Sequence, residues 1–117
     1  MARTLQEILD HHNNAVFAND PEAMKQDYTE DAILISLEGV FKGPDEIAKA
    51  LQKLVADMPN LRPYDNPKSG MTIEGDTMLL RWALDSDAGT IKDAFDTIVC
   101  KNGKIWRQTT NYEIVPK

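Results

Sequence analysis

The feature that most constrains the fold is the Asn102-Gly103 pair, which lies between two long segments rich in β-branched and aromatic residues. Asn-Gly is the strongest short-range signal for a two-residue hairpin loop, because both residues readily adopt positive φ. The pair therefore predicts an antiparallel hairpin between strands at about 90–101 and 104–114. Two further strands are predicted at about 71–74 and 77–85.

The first half of the chain has a helical pattern. A Thr-x-x-Glu capping box at residues 4–7 precedes apolar residues at helical spacing. The predicted helices span about 5–17, 21–28 and 44–58. A short strand at 32–37 is predicted to turn at Glu38-Gly39 into a second strand.

Helices first and antiparallel strands later are the order of an α+β fold. Residues 1–117 are predicted to form a single domain, since 117 residues are typical of one compact domain. The formal net charge of −6 disfavours binding to nucleic acid, because an acidic surface repels phosphates. With no membrane segment, no signal peptide and only one cysteine, Cys100, we expect a reduced cytoplasmic protein that does not bind membranes.

The hairpin also predicts which side chains share a face of the sheet. A two-residue loop without irregularities pairs Cys100 with Ile105, Ile98 with Arg107 and Asp96 with Thr109. One face then carries Asp96, Ile98, Arg107 and Thr109. The other carries an apolar group that is expected to form a homodimer by contact with a second copy: Phe95, Val99, Trp106 and Tyr112.

Four short segments, in order, resemble one known superfamily. They are His-Asn-Asn-Ala-Val-Phe-Ala-Asn-Asp-Pro-Glu-Ala-Met (12–24), Tyr-Thr-Glu-Asp-Ala (28–32), Phe-Lys-Gly-Pro-Asp-Glu-Ile (41–47) and Phe-Asp-Thr-Ile-Val-Cys-Lys-Asn-Gly-Lys-Ile (95–105). Together they resemble the nuclear-transport-factor-2-like superfamily and its SnoaL-like and ketosteroid-isomerase-like branch. The resemblance implies a cone (a cystatin-like α+β roll) in which three N-terminal helices cover a curved, mainly antiparallel sheet. It also implies an apolar pocket and dimers through the convex sheet face.

His12 and Asp96 are the predicted catalytic residues. His12 lies on the apolar stripe of the first helix, and by the resemblance it matches a tyrosine that isomerases use as a donor. Asp96 interrupts an apolar strand and matches a recurrent aspartate of the family. In ketosteroid isomerase, which is one of the standard examples of pKa tuning, that aspartate is protonated and donates to an oxyanion. The alternatives are a structural histidine and an Asp96 paired with Arg107.

The resemblance places Ser36 where the isomerases carry their catalytic base. A neutral serine cannot shuttle a proton between carbons, so a His12–Asp96 dyad is the predicted substitute. Further substrate-binding candidates line the expected pocket: Tyr28, Ser36, Trp82, Ile98, Arg107 and Thr109. Family tyrosines at the position of Tyr28 more often pack in the core.

The functional hypothesis is an enzyme of the isomerase, lyase or cyclase type that acts on a small apolar molecule by proton transfer. No cofactor is expected, and no histidine or cysteine spacing predicts a metal site. The alternatives are a non-catalytic module that binds an apolar ligand, and a dimerisation domain with a filled cone.

Overall fold

The computed structural model describes residues 3–117. Met1 and Ala2, which belong to the predicted domain, lie outside the described residues. The helices are α1 (Leu5–Phe17), α2 (Pro21–Gln26) and α3 (Gly43–Asp57). The strands are β1 (Tyr28–Ser36), β2 (Gly39–Lys42), β3 (Arg62–Pro63), β4 (Gly70–Glu74), β5 (Thr77–Asp85), β6 (Gly89–Lys101), β7 (Lys104–Asn111) and β8 (Val115–Pro116). No helix among these residues is long and apolar enough to cross a membrane.

The predicted starts of α1 and α2 are confirmed by their caps. The Glu7 amide donates to Thr4 Oγ1 (3.1 Å), and the Thr4 amide donates to Glu7 Oε1 (3.0 Å). Asp20 caps α2 through the Ala23 amide. Helix α2 ends earlier than predicted because Tyr28 already pairs with Ile105 of β7.

The α+β prediction is confirmed, since three helices pack on a curved sheet that does not close. The strand order is β2-β1-β7-β6-β5-β3, with β4 paired to β5 and β8 paired to β6. The β1–β7 pair is parallel and the other pairs are antiparallel. The main core lies between the helices and the sheet and includes Ile47, Met24 and Ile105.

The last hairpin forms where predicted, but the predicted register is wrong beyond the first two residue pairs. Asn102 and Gly103 have φ of 55° and 76°, as the predicted loop requires. Lys101 faces Lys104 and Cys100 faces Ile105, and then a β-bulge at Trp106 lets Val99 face Arg107. A bulge adds one residue to one strand, which reverses the faces of the residues that follow. Ile98 therefore faces Gln108, and Asp96 faces Thr110.

Further boundaries differ from the prediction, and β1 begins at Tyr28, four residues before the predicted start at 32. The β1–β2 turn is at Leu37-Glu38, one residue early, since Ser36 pairs with Gly39 and its hydroxyl accepts from the Glu38 amide (3.1 Å). Strand β7 ends at Asn111, and the chain continues into β8, which pairs with the start of β6.

Candidate active site

A cavity of about 300 Å³ lies between the helices and the sheet. This volume is at the lower end of the range for small-molecule sites. Helix α1 contributes His12, α3 contributes Leu51 and Leu54, and the sheet supplies most of the rest of the wall. Most of the wall is apolar, and its polar or aromatic members include Asn13, Ser36, Glu38, Phe41, Trp82, Asp96, Gln108, Thr110 and Tyr112.

His12 lies in the cavity wall with only 8% of its surface exposed. Its Nδ1 is buried and has no hydrogen-bond partner within residues 3–117. Burial lowers the pKa of His12 below its ordinary value of 6.5, and the charges of Asp27 and Asp96 offset part of that effect. The imidazole is therefore neutral at neutral pH and able to accept a proton.

Asp96 is 6% exposed and accepts a hydrogen bond on each carboxylate oxygen. Trp82 Nε1 donates to Oδ1 (3.0 Å), and Gln108 Nε2 donates to Oδ2 (2.8 Å). The Tyr28 hydroxyl donates in turn to Gln108 Oε1 (2.6 Å). This buried chain of hydrogen bonds orients the Gln108 amide toward Asp96 and holds the carboxylate at the cavity wall.

A second buried carboxylate, Asp27, is fully inaccessible and does not line the cavity. Arg3 Nη1 and His11 Nδ1 each lie 2.8 Å from its carboxylate. Asp27 falls inside the predicted helix 21–28 but is the C-cap of α2 in the structure, and no sequence motif predicts this cluster. An acidic residue at a helix C-terminus opposes the helix dipole, and that anomaly was the available signal.

Two aromatic side chains of the cavity wall, Trp82 and Tyr112, pack against each other with their ring centroids 5.9 Å apart. Burial raises the pKa of the Tyr112 hydroxyl, and the charge of Glu38 adds to that effect. Tyr112 therefore keeps its proton and is a hydrogen-bond donor at neutral pH.

The predicted site residues separate into two groups. The structure places His12, Ser36, Trp82, Asp96 and Ile98 in the cavity wall, while their roles in binding or catalysis stay predictions. Tyr28 is buried behind the wall, where it bonds to Gln108. Within the described residues, no hydrogen bond or ion pair joins His12 to Asp96. The structure therefore does not form the predicted dyad.

The bulge at Trp106 moves Arg107 and Thr109 out of the cavity, which corrects two predicted substrate contacts. Arg107 donates to the Asp31 carbonyl (3.0 Å) and lies 3.9 Å from the Trp106 ring centroid, so it does not pair with Asp96. The same shift brings Gln108, Thr110 and Tyr112 inward. Tyr112 is therefore a cavity residue, not a member of the outer face that was predicted to dimerise.

Solved structures with low sequence identity share this architecture. An NTF2-like protein of unknown function from Cytophaga hutchinsonii is 15% identical, with a TM-score of 0.75 over 97% of this chain and 93% of that chain. An Agrobacterium tumefaciens protein, provisionally an isomerase of the SnoaL-like family, is 14% identical, with a TM-score of 0.72 over 92% and 96%. A Sinorhizobium meliloti protein, provisionally a polyketide cyclase, is 18% identical, with a TM-score of 0.71 over 89% and 93%. No family model and no curated protein matches the sequence.

This chain has the NTF2-like fold. The resemblance found in the sequence is confirmed at that level, and identities this low establish the fold alone. An NTF2-like fold hosts many functions, so the function has to be argued from the cavity. Within residues 3–117, no cluster of histidine, cysteine and acidic residues is arranged to hold a metal ion.

Proposed function

We propose that this chain is an enzyme that transfers a proton on a small, largely apolar molecule without a cofactor, with His12 as the general base. The observation that supports the proposal is the state of His12. Its imidazole is buried at an apolar cavity, its Nδ1 has no partner among the described residues, and burial lowers its pKa. A neutral imidazole in such a site can accept a proton at neutral pH.

In the proposed step, His12 takes a proton from a carbon next to a carbonyl group. The C–H electrons move toward the carbonyl oxygen, and the imidazolium later returns the proton to another position. The Asp27 and Asp96 charges raise the pKa of His12 against the effect of burial, so they stabilise that imidazolium. Thr110 and Tyr112 supply cavity hydroxyls that can donate to the developing oxyanion.

Two of the similar structures support an enzyme, since one is provisionally a SnoaL-like isomerase and the other is provisionally a polyketide cyclase. The second candidate is a binding module for an apolar ligand. It is favoured by one observation, that Asp96 is held by Trp82 and Gln108 and does not orient His12. In a binding module, ligand affinity changes little between about pH 5 and 8.

Deuterium exchange separates these candidates without knowledge of the natural substrate. The probe is β-tetralone, a small ketone with acidic C–H groups, incubated with the protein in D₂O and followed by NMR. We expect His12→Gln to lose about 100-fold or more of the protein-catalysed exchange rate, since general base catalysis contributes that much.

Asn14→Gln is the matched control, because Asn14 is exposed, lies on the same helix and does not line the cavity. Circular dichroism checks that both variants are folded. Equal exchange by His12→Gln and the wild type contradicts the role of His12. If the ketone binds in the cavity but shows no protein-dependent exchange, the chain is a binding module.

A further inference from the structure

The charged groups around the cavity are unbalanced. Asp96 and Glu38 line it, whereas no lysine or arginine does so within residues 3–117. The lining group that could become positive, His12, is neutral at neutral pH because burial lowers its pKa. Any charge of the cavity wall is therefore negative.

The two buried carboxylates of the protein differ in their partners. Asp27 is paired with the Arg3 guanidinium and the His11 imidazole. Asp96 receives only neutral donors, the indole of Trp82 and the amide of Gln108. Buried carboxylates normally have a cationic partner, because removing a charge from water is costly. Asp96 lacks that partner among the described residues, and it faces the cavity.

Asp96 also has room for a further contact. A carboxylate offers about four acceptor positions, and the neutral donors occupy one on each oxygen. The neighbouring wall is aromatic, with Phe41, Trp82 and Tyr112 among the lining residues. Aromatic faces attract cations, most strongly where water is excluded.

We propose that the cavity binds a small apolar molecule that carries one positive charge, a protonated amine or a quaternary ammonium group, with Asp96 as its counter-charge. This inference deepens the proposed function and rests on it, because it names the charge class of the substrate of the same cavity. Apolar walls hold the rest of the molecule, and the aromatic side chains contact the ammonium group.

A trio of ligands with nearly the same shape tests the charge. Choline is the cation, 3,3-dimethylbutan-1-ol is its neutral carbon analogue, and 3,3-dimethylbutanoate is the anion. Binding is followed by NMR through the Trp82 indole N–H, which bonds directly to Asp96. We expect choline to bind about tenfold or more tightly than the alcohol, and the anion to bind most weakly.

Asp96→Asn keeps the shape of the side chain and removes its charge, so we expect it to bind choline and the alcohol about equally. Asp93→Asn is the matched control, because Asp93 lies on the same strand and pairs with Arg81 away from the cavity. We expect it to retain the choline preference. The wild-type comparison decides the question by itself if Asp96→Asn does not fold.

Equal binding of choline and the alcohol by the wild type, or preference for the anion, overturns the inference. A choline preference, with a ketone that binds in the cavity but does not exchange, keeps this inference and removes the proposed catalysis. Ketone exchange without a choline preference does the reverse.

Discussion

The Tyr28 hydroxyl is predicted to stabilise the fold from behind the cavity wall. Its hydrogen bond to Gln108 Oε1 is 2.6 Å long, and both residues are buried. Burial raises the pKa of Tyr28, so the hydroxyl keeps its proton and remains the donor. Tyr28→Phe removes that donor and leaves a buried amide oxygen without its partner.

The expected cost follows from that unpaired oxygen. Leaving a buried polar group unsatisfied costs about 1–3 kcal/mol of unfolding free energy. An unfolding entropy of about 2.1 cal/mol/K per residue gives about 0.25 kcal/mol/K for this chain. A loss of about 2 kcal/mol then lowers the melting temperature by about 8 °C.

The assay is urea and thermal unfolding followed by circular dichroism. Tyr64→Phe is the matched control, since Tyr64 is 38% exposed and its ring is outside the buried chain of hydrogen bonds. We expect the control to change the unfolding free energy by less than about 0.5 kcal/mol. If Tyr28→Phe is as stable as Tyr64→Phe, the hydrogen bond contributes no net stability and the reasoning is wrong.

Three further results are expected. Burial lowers the pKa of His12, so below pH 6.5 the unfolded chain binds more protons than the folded chain. The free energy of unfolding should therefore fall as the pH drops from 6.5 toward the lowered pKa of the folded state. The unfolding free energy, measured with urea between about pH 5 and 8, should change less with pH in His12→Gln than in the wild type. An equal pH dependence in the two proteins contradicts the assignment. Burial raises the pKa of Cys100 to about 11, so its reaction with Ellman's reagent at neutral pH should be about tenfold or more slower than in urea, and equal rates refute this. The outer sheet face, where Phe95 is 40% exposed, is still predicted to form a homodimer. Analytical ultracentrifugation should show a wild-type dimer that Phe95→Lys dissociates, and a wild-type monomer contradicts this prediction.

Local signals in the sequence were enough to predict most elements. Capping at Thr4 and Asp20 and the Asn102-Gly103 loop each act within a few residues, so the structure keeps them. The apolar stripe of α1 correctly indicated that His12 is buried. Each of these predictions depends on chemistry between residues that are close in the chain.

The missed features depend on contacts between distant residues. Asp27 is buried because Arg3 and His11 reach it, and the Tyr28–Gln108 bond spans 80 positions. A pattern of neighbouring residues does not show which distant residues meet, so neither Asp27 nor Gln108 is a candidate in the sequence. The hydrogen bonds of Asp96 were missed for the same reason, as its donors come from β5 and β7.

The bulge at Trp106 shows how burial decides a register that local sequence leaves open. Without it, Arg107 would face Ile98 toward the cavity and Gln108 would point outward, so a guanidinium would be buried and Asp96 would lose a donor. Burying a charge in apolar surroundings costs far more than one irregular strand position. With the bulge, Arg107 stacks on the Trp106 ring at 3.9 Å, and Gln108 reaches Asp96 at 2.8 Å. The charged side chain that is hardest to bury thus determines which residues of β7 line the cavity.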